Sequence, residues 1–414
     1  MEKKLFEGYK YIDGGVCAAS GFTANGLNCG YNSDKNKNDL CLIKSDILCN
    51  TAGVYTQNKV KGAPVLVCQD HLNKTNGKAM AIIANSKNAN TCNADGIEKA
   101  ERMCELAANA LGIESDNVLV ASTGVIGQII RMEPVEEHID ELVAGLSTDG
   151  NAKATNAIMT TDTCPKEVAV EFVLDGKVCH VGGMGKGSGM IHPNMATTLN
   201  FVTTDAAISS DMLKKALLEC VKVTYNCLSV DGDQSTNDTL LVMANGKAGN
   251  AEITSEGEAY EAFKQALYIV MMNITKMMAR DGEGATKLLE CTCNGARDLD
   301  TAIIVAKSVV CSSLLKCAMF GEDANWGRIL CAIGYAEADF DINKVDVDIA
   351  SKAGVLEVCR NGSGIEFSEE FAKVVLHEEE IFININLNEG DISAKAWGCD
   401  LTYDYVKING DYRS

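Results

Sequence analysis

Proline is scarce, with four residues (Pro64, Pro134, Pro165 and Pro193) in a chain of 414. No Pro-rich linker therefore divides the chain. No apolar run approaches the roughly 20 residues that span a bilayer. The opening stretch Met1–Ile12, MEKKLFEGYKYI, has no apolar segment of leader length either. Basic residues fall short, with 37 Lys and Arg against 57 Asp and Glu and a formal net charge of -20. Nucleic acid and anionic membranes repel a surface of that sign. Familiar motifs are also missing. There is no CxxC, Cys291-Thr292-Cys293 is too tight for a zinc knuckle, and no GxGxxG, GxxxxGKS/T or GxSxG can be read.

Cysteine, by contrast, is abundant, at 18 residues. The cysteines are scattered through a chain large enough to fold without staples. Cys41, Cys68, Cys220 and Cys331 lie in apolar stretches, where a free thiol acts as a small hydrophobe. A reducing cytoplasm is the expected setting. Apolar residues at 46% and charged residues at 23% describe a globular protein with a real core. Of the five histidines, His71, His138 and His377 sit beside charged or amide residues and are expected at the surface. His180 alternates with strand residues, and His192 falls in the central motif discussed below.

Strand and helix patterns alternate along the chain. Leu40–Ile43, Gly53–Thr56, Ala79–Ala84 and Val118–Ser122 read as short buried strands. Ile97–Leu111 places Ile97, Ala100, Cys104, Leu106, Ala107 and Leu111 on one helical face, behind capping candidates in Asn93-Ala94-Asp95. Val168, Val170, Phe172 and Leu174 alternate before Asp175-Gly176, a dipeptide suited to a tight hairpin. Helices are predicted at 210–227, 256–279 and 298–319, and closing strands near 345–349, 354–358, 381–387 and 392–397. The class is mixed α/β (α+β), built in layers.

The one compositional break is Gly182-Gly183-Met184-Gly185-Lys186-Gly187-Ser188-Gly189. Its glycines permit close backbone approach, and taken alone they describe a flexible loop. Pro193-Asn194-Met195-Ala196-Thr197 follows, then a strand-like Thr198–Val202. A threonine after a small residue at the head of a strand suits self-cleavage. Its Oγ attacks the preceding carbonyl, and hydrolysis of the ester frees an amine of pKa about 7.7–8.0 beside the hydroxyl.

The run Lys186–Leu199, KGSGMIHPNMATTL, resembles the self-processing motif of the ornithine acetyltransferase family, also called the glutamate N-acetyltransferase or ArgJ family. The likeness extends along the chain. It includes 52–56 (AGVYT), 58–65 (NKVKGAPV), 122–127 (STGVIG), 159–163 (MTTDT), 231–239 (DGDQSTNDT), 320–328 (FGEDANWGR) and 406–412 (VKINGDY). The resemblance implies a layered α/β/β/α-type fold of the DmpA/ArgJ-like kind, cut between Ala196 and Thr197. Residues 1–196 would form an alpha chain and 197–414 a beta chain, interlocked in an α2β2 heterotetramer.

It further implies that Thr197 is the acetyl-accepting nucleophile, with Thr123 and Gly124 as the oxyanion-hole pair. The substrate positions are Thr160, Lys186, Thr197, Glu283, Asn409 and Ser414, where many family members end in threonine. Lys186 suits a carboxylate and Glu283 an ammonium group. The implied reaction is ping-pong transfer of acetyl from N-acetylornithine to glutamate, releasing ornithine and N-acetylglutamate. No separate cofactor or metal is implied, and acetyl-CoA is a co-substrate in some members. An amino-terminal-nucleophile hydrolase like the β-aminopeptidases shares the cleavage chemistry and remains open, with water as the acyl acceptor. A cysteine-rich metal or redox binder is the third reading.

Overall fold

The computed structural model describes residues 3–192 and 198–410. The described residues form sixteen strands and eleven helices. The strands are β1 (Lys10–Ile12), β2 (Phe22–Leu27), β3 (Leu40–Tyr55), β4 (Lys78–Asn85), β5 (Val118–Ser122), β6 (Lys166–Leu174), β7 (Lys177–Lys186) and β8 (Leu199–Thr204). Then come β9 (Leu228–Ser229), β10 (Thr239–Ala244), β11 (Leu288–Ala296), β12 (Asp346–Ser351), β13 (Gly354–Arg360), β14 (Ser363–Gly364), β15 (Glu380–Asn386) and β16 (Ile392–Cys399). The helices are α1 (Ala63–Lys74), α2 (Gly96–Leu111), α3 (Glu133–Ala144), α4 (Asn151–Ile158), α5 (Ser210–Lys222) and α6 (Glu258–Arg280). Five more follow: α7 (Leu299–Cys311), α8 (Ser313–Phe320), α9 (Trp326–Gly334), α10 (Glu369–Leu376) and α11 (Tyr403–Asn409).

Two sheets organise the chain, as the mixed α/β reading expects. The larger has nine strands in the order β1-β6-β7-β8-β10-β3-β4-β5, with β2 added on β3. The smaller runs β14-β13-β12-β15-β11-β16-β9. Helix α6 touches β6 and β7 of the first sheet and β11 and β16 of the second. Its face of Phe263, Leu267, Val270, Ile274 and Met278 is buried in a core cluster shared by both sheets. The 196/197 junction is not a domain boundary. β8 and β10 follow it in sequence, yet lie between β7 and β3, which precede it.

The hairpin at 175–176 forms as predicted. Asp175 and Gly176 both take positive φ (51° and 73°), and Leu174 pairs with Lys177. Several expectations need correction. The segments 40–43 and 53–56 are two ends of one strand, β3, whose register against β4 shifts between Lys44 and Cys49. The predicted helix 298–319 is two helices bent by 57°. Ser312 adopts an extended backbone there, and its hydroxyl caps α8 by accepting from Leu315 N at 3.3 Å. The predicted helix 210–227 ends at Lys222, with a short 3-10 turn over Tyr225–Cys227. Helix α2 forms, but the Asp95 side chain makes no cap and Ile97 is exposed.

His71 is fully buried rather than at the surface. It sits on the face of α1 that packs against β5, where its ring joins Val118 O at 2.8 Å and Glu101 Oε2 at 2.9 Å. His138 is half-buried and His377 exposed. All 18 cysteines are free thiols, and most are buried. Cys331, expected inside, is exposed on α9. No single described helix is long and apolar enough to cross a membrane. The bent pair α7–α8 passes that test by length and composition only.

The glycine-rich stretch is mostly strand. Gly182, Gly183 and Gly185 lie inside β7, paired to β6 on one side and β8 on the other. A Cβ on Gly185 would fall 2.2 Å from Asn200 Oδ1 and 2.7 Å from the Met278 methyl of α6. The glycines thus let a long helix and a neighbouring strand close onto β7. Gly185→Ala is expected to cost about 1–3 kcal/mol, as overpacking does. Urea unfolding of wild type and variant checks this, and equal midpoints would refute it.

Candidate active site

The larger sheet ends in a pocket where β7 leaves for the loop 187–192. Its lining includes Thr123, Gly124, Thr160, Lys186, Glu283 and Asn409, together with Thr198, Met190 and the segment 235–238. The fold therefore brings six of the predicted site residues to one place. Ala196 and Thr197, predicted for cleavage and nucleophilic attack, lie outside the described residues, as does Ser414.

Each lining group is held by local chemistry. Thr123 follows β5, and its N–H donates to Asn85 O at 3.0 Å. Gly124 has φ 133°, and a Cβ there would sit 2.2 Å from the Lys87 carbonyl carbon. Only glycine fits that crossing. The Asn237 amide fastens this corner, donating to Ala89 O at 2.6 Å and to Ser122 O at 3.0 Å. Thr160 follows α4, and its N–H donates to Asp162 Oδ2 at 3.0 Å. Glu283 lies in the turn after α6, with its N–H on Ser188 O at 2.9 Å. Asn409 Nδ2 donates to Glu283 Oε2 at 2.7 Å. The Glu283 carboxyl occupies the space beside Gly189, where a Cβ would lie 2.3 Å from it.

Lys186 is the buried cation of the pocket, and its Nζ stands 3.5 Å from Thr123 Oγ1. Burial pulls its pKa down, and Lys166 adds to that; Asp162, Glu283 and Asp238 oppose it. Beneath it lies a network the sequence did not announce. Lys166 Nζ bridges Asp162 Oδ1 at 2.6 Å and Asp281 Oδ2 at 2.5 Å, with all three side chains inside the protein. Asp162 Oδ1 also accepts from Gly187 N at 2.7 Å. Burial pushes the Asp162 carboxyl up, but Lys186 and Lys166 outweigh it and hold the group at about 2. One carboxylate thus fixes the Thr160 backbone, the turn after β7 and the charge of Lys186.

A pocket with a buried cation, a carboxylate tied to an amide, and a hydroxyl beside a glycine amide can hold a zwitterion next to an acyl group. Residues 23–414 match the family model described as the ArgJ family. The protein named arginine biosynthesis bifunctional protein ArgJ 1 from Clostridium acetobutylicum is 51% identical over 394 residues, 95% of this chain and 96% of its own. The chain belongs to the ArgJ family.

A second relative, from Caldanaerobacter subterraneus subsp. tengcongensis, is named arginine biosynthesis bifunctional protein ArgJ. It is 49% identical over 404 residues, covering 97% of this chain and 99% of its own. Among solved structures, the argJ protein of Bacillus halodurans is 45% identical with a TM-score of 0.48, covering 51% of this chain and 97% of that one. An ornithine acetyltransferase from Mycobacterium tuberculosis, complexed with ornithine, is 34% identical with a TM-score of 0.41. It covers 45% of this chain and 100% of that one.

The ArgJ segments 159–163 and 231–239 were visible in the sequence, yet Asp162, Asn237 and Asp238 carried no role there. Their importance comes from burial, which only the fold reveals. No group of three or more His, Cys, Asp or Glu that could hold a metal occurs among the described residues.

Asp162→Asn should destabilise the protein by about 3–5 kcal/mol, because it strips a buried ion network of one partner. The Asp162 carboxyl is depressed in the folded chain, so its stabilisation is present above about pH 4 and lost as pH falls towards 2. The variant's stability should therefore vary less with pH across that window. Urea midpoints measured from pH 2 to 7 check both, and parallel curves would refute the charge argument.

Proposed function

We propose that this pocket carries acetyl transfer through Thr197 after the chain cuts itself between Ala196 and Thr197. As an ArgJ family member, the chain is an acetyltransferase of arginine biosynthesis. The reaction is transfer of acetyl from N2-acetyl-L-ornithine to L-glutamate. The observation that supports the residue assignment is the convergence of Thr123, Gly124, Thr160, Lys186, Glu283 and Asn409 around Thr198, the residue that follows Thr197 in the sequence and precedes β8.

In this reading, Thr197 Oγ attacks the acetyl carbonyl and its proton passes to the freed α-amine. The oxyanion is met by the Thr123 hydroxyl and the Gly124 N–H. The C–N bond breaks, and ornithine leaves with that proton. Glutamate reverses the steps and departs as N-acetylglutamate. Both substrates carry an α-carboxylate, which Lys186 is suited to hold. Glu283, steadied by Asn409, is suited to an ammonium group, and the Thr160 hydroxyl and Ser414 complete the contacts. No cofactor enters the scheme. The relatives are named bifunctional, and the second activity we assign is acetylation of glutamate from acetyl-CoA. The two fragments remain interlocked and assemble as an α2β2 heterotetramer in the cytoplasm, a compartment that would keep the 18 thiols reduced.

Denaturing mass spectrometry tests the cut. By residue share of 44.2 kDa, fragments of roughly 21 kDa (1–196) and 23 kDa (197–414) are expected. Thr197→Ala should remain whole and inactive, while Thr123→Ala should lower kcat by about 10²–10³-fold, as loss of an oxyanion donor does. Active protein of a single 44.2 kDa mass would overturn the mechanism. Acetylornithine hydrolysis at a rate independent of glutamate would favour the hydrolase instead.

A further inference from the structure

The pocket is too small for one of the donors assigned to it. Its cavity is about 110 Å³, whereas sites that enclose a drug-sized ligand measure about 300–1,000 Å³. An amino-acid donor suits that space, but an acyl-CoA must leave most of its length outside. A second cavity of about 650 Å³ opens beside it. The two share Thr160, so a chain that passes this residue runs from one into the other. The second cavity is a groove formed by the loop 32–38, α4 and the segment 159–167, with Lys87 added from the turn after β4.

Its charges are unevenly engaged. Asp34 Oδ1 accepts from Asn36 N at 3.0 Å, Glu167 Oε2 accepts from Thr155 Oγ1 at 3.4 Å, and Asp162 lies in the buried ion network. Lys37 and Lys87 are exposed, and neither ammonium has a partner among the described residues. In a chain of net charge -20, two such cations in one groove attract an anion from outside. Their backbones are fixed. Asn28 Nδ2 donates to the carbonyls of Asn32, Asp34 and Lys37 at 3.2, 3.0 and 2.7 Å, which sets the turn of the loop. Lys87 takes φ 74°, a conformation that residues with side chains rarely adopt, and its carbonyl accepts from Val125 N at 3.2 Å. Another lysine-bearing cavity, near the N-terminus, shares no residue with the active pocket. Its Lys276 and Lys352 already pair with Glu290 and Glu378.

We propose that this groove binds the phosphorylated tail of an acyl-CoA donor, with Lys37 and Lys87 on phosphate oxygens and the thioester arm reaching the active pocket past Thr160. The inference deepens the function proposed above and rests on it. A lysine ammonium meets a phosphate as a point charge, which needs no further shaping of the groove. Met159 and Pro165 offer apolar wall to the adenine ring of the tail. Only the leaving atom distinguishes this donor from acetylornithine. The acetyl carbon bonds to the same threonine oxygen, the C–S bond breaks in place of the C–N bond, and the hydroxyl proton leaves on the thiol sulfur. Acetylornithine fits within the pocket and does not extend to the groove, so the two donors differ in their need for Lys37 and Lys87.

Steady-state kinetics of the full-length protein with each donor in turn, and glutamate as acceptor, test this. Wild type that transfers from neither donor overturns the functional reading itself. Wild type that uses acetylornithine but not acetyl-CoA overturns this proposal and leaves acetylornithine transfer standing. Given both activities, Lys37→Glu combined with Lys87→Glu should raise KM for acetyl-CoA by about 10–100-fold, the loss expected when charge-assisted contacts go. KM for acetylornithine should stay unchanged. Lys37→Arg combined with Lys87→Arg, which keeps both charges, should hold the acetyl-CoA KM near that of wild type. An acetyl-CoA KM unmoved by the double Glu variant, or one that rises equally for both donors, would overturn the proposal. Adenosine 3′,5′-bisphosphate gives a second readout on wild type. It carries phosphates without the arm, so it should compete with acetyl-CoA and leave acetylornithine transfer unaffected. Equal inhibition with both donors, or no inhibition with acetyl-CoA, refutes the groove as the binding place.

Discussion

The structure depends on the pairing of β7 with β8 across the 196/197 junction. Lys186 through Val181 run antiparallel to Leu199 through Thr204, so the residues either side of the junction are bound by a ladder of backbone hydrogen bonds. β8 then pairs with β10, and β10 with β3. The junction is thus spanned twice, once on each side of the β8–β10 pair. Neither part could leave without breaking two ladders and exposing Val202, Leu240 and Val242, all fully buried. The pocket forms where β7 and β8 part, and the sheet itself aims Lys186 and Thr198 at one space.

Charge is the second constraint. A lysine as deep as Lys186 would tend to shed its proton to escape desolvation. Here Asp162, Glu283 and Asp238 work to keep it charged, while Lys166 repels it. Lys166 is in turn neutralised by Asp162 and Asp281. Asp281 also accepts from Thr163 N at 3.0 Å, tying the 159–163 segment to the end of α6. In the function proposed above, this is the cation that meets a substrate carboxylate, and it is stored inside the protein with three carboxylates favouring its charge.

Much of this could be read from residues in a row. The β6–β7 hairpin was legible because alternation and an Asp-Gly turn are local signals, and α2 because its apolar face repeats at helical spacing. Motif likeness brought together Thr123, Gly124, Thr160, Lys186, Glu283 and Asn409 from five distant segments. The rest was not local. Gly182 to Gly185 read as a loop because sequence shows absent side chains, whereas the strand exists to admit α6 and Asn200. His71 read as exposed because its sequence neighbours are polar, but a helix turns Asp70 outward and His71 inward. Asp162 and Asp238 owe their chemistry to burial, a property of the finished fold.

The topology bears on when the proposed cut would come. β8 and β10 insert between strands that precede them in the chain, and inside one polypeptide that insertion is intramolecular, at the high effective concentration a short connection provides. Two separate fragments would have to find the same arrangement by encounter, each with exposed strand edges prone to wrong pairing. Folding as one chain and cutting afterwards avoids that search. Contacts that hold the pocket across the junction include Asn237 to Ser122, Thr163 to Asp281 and Glu283 to Ser188. None passes through the 196–197 peptide. A cut there removes one covalent link and leaves every one of those contacts in place, so the cut chain can keep the site that the whole chain built.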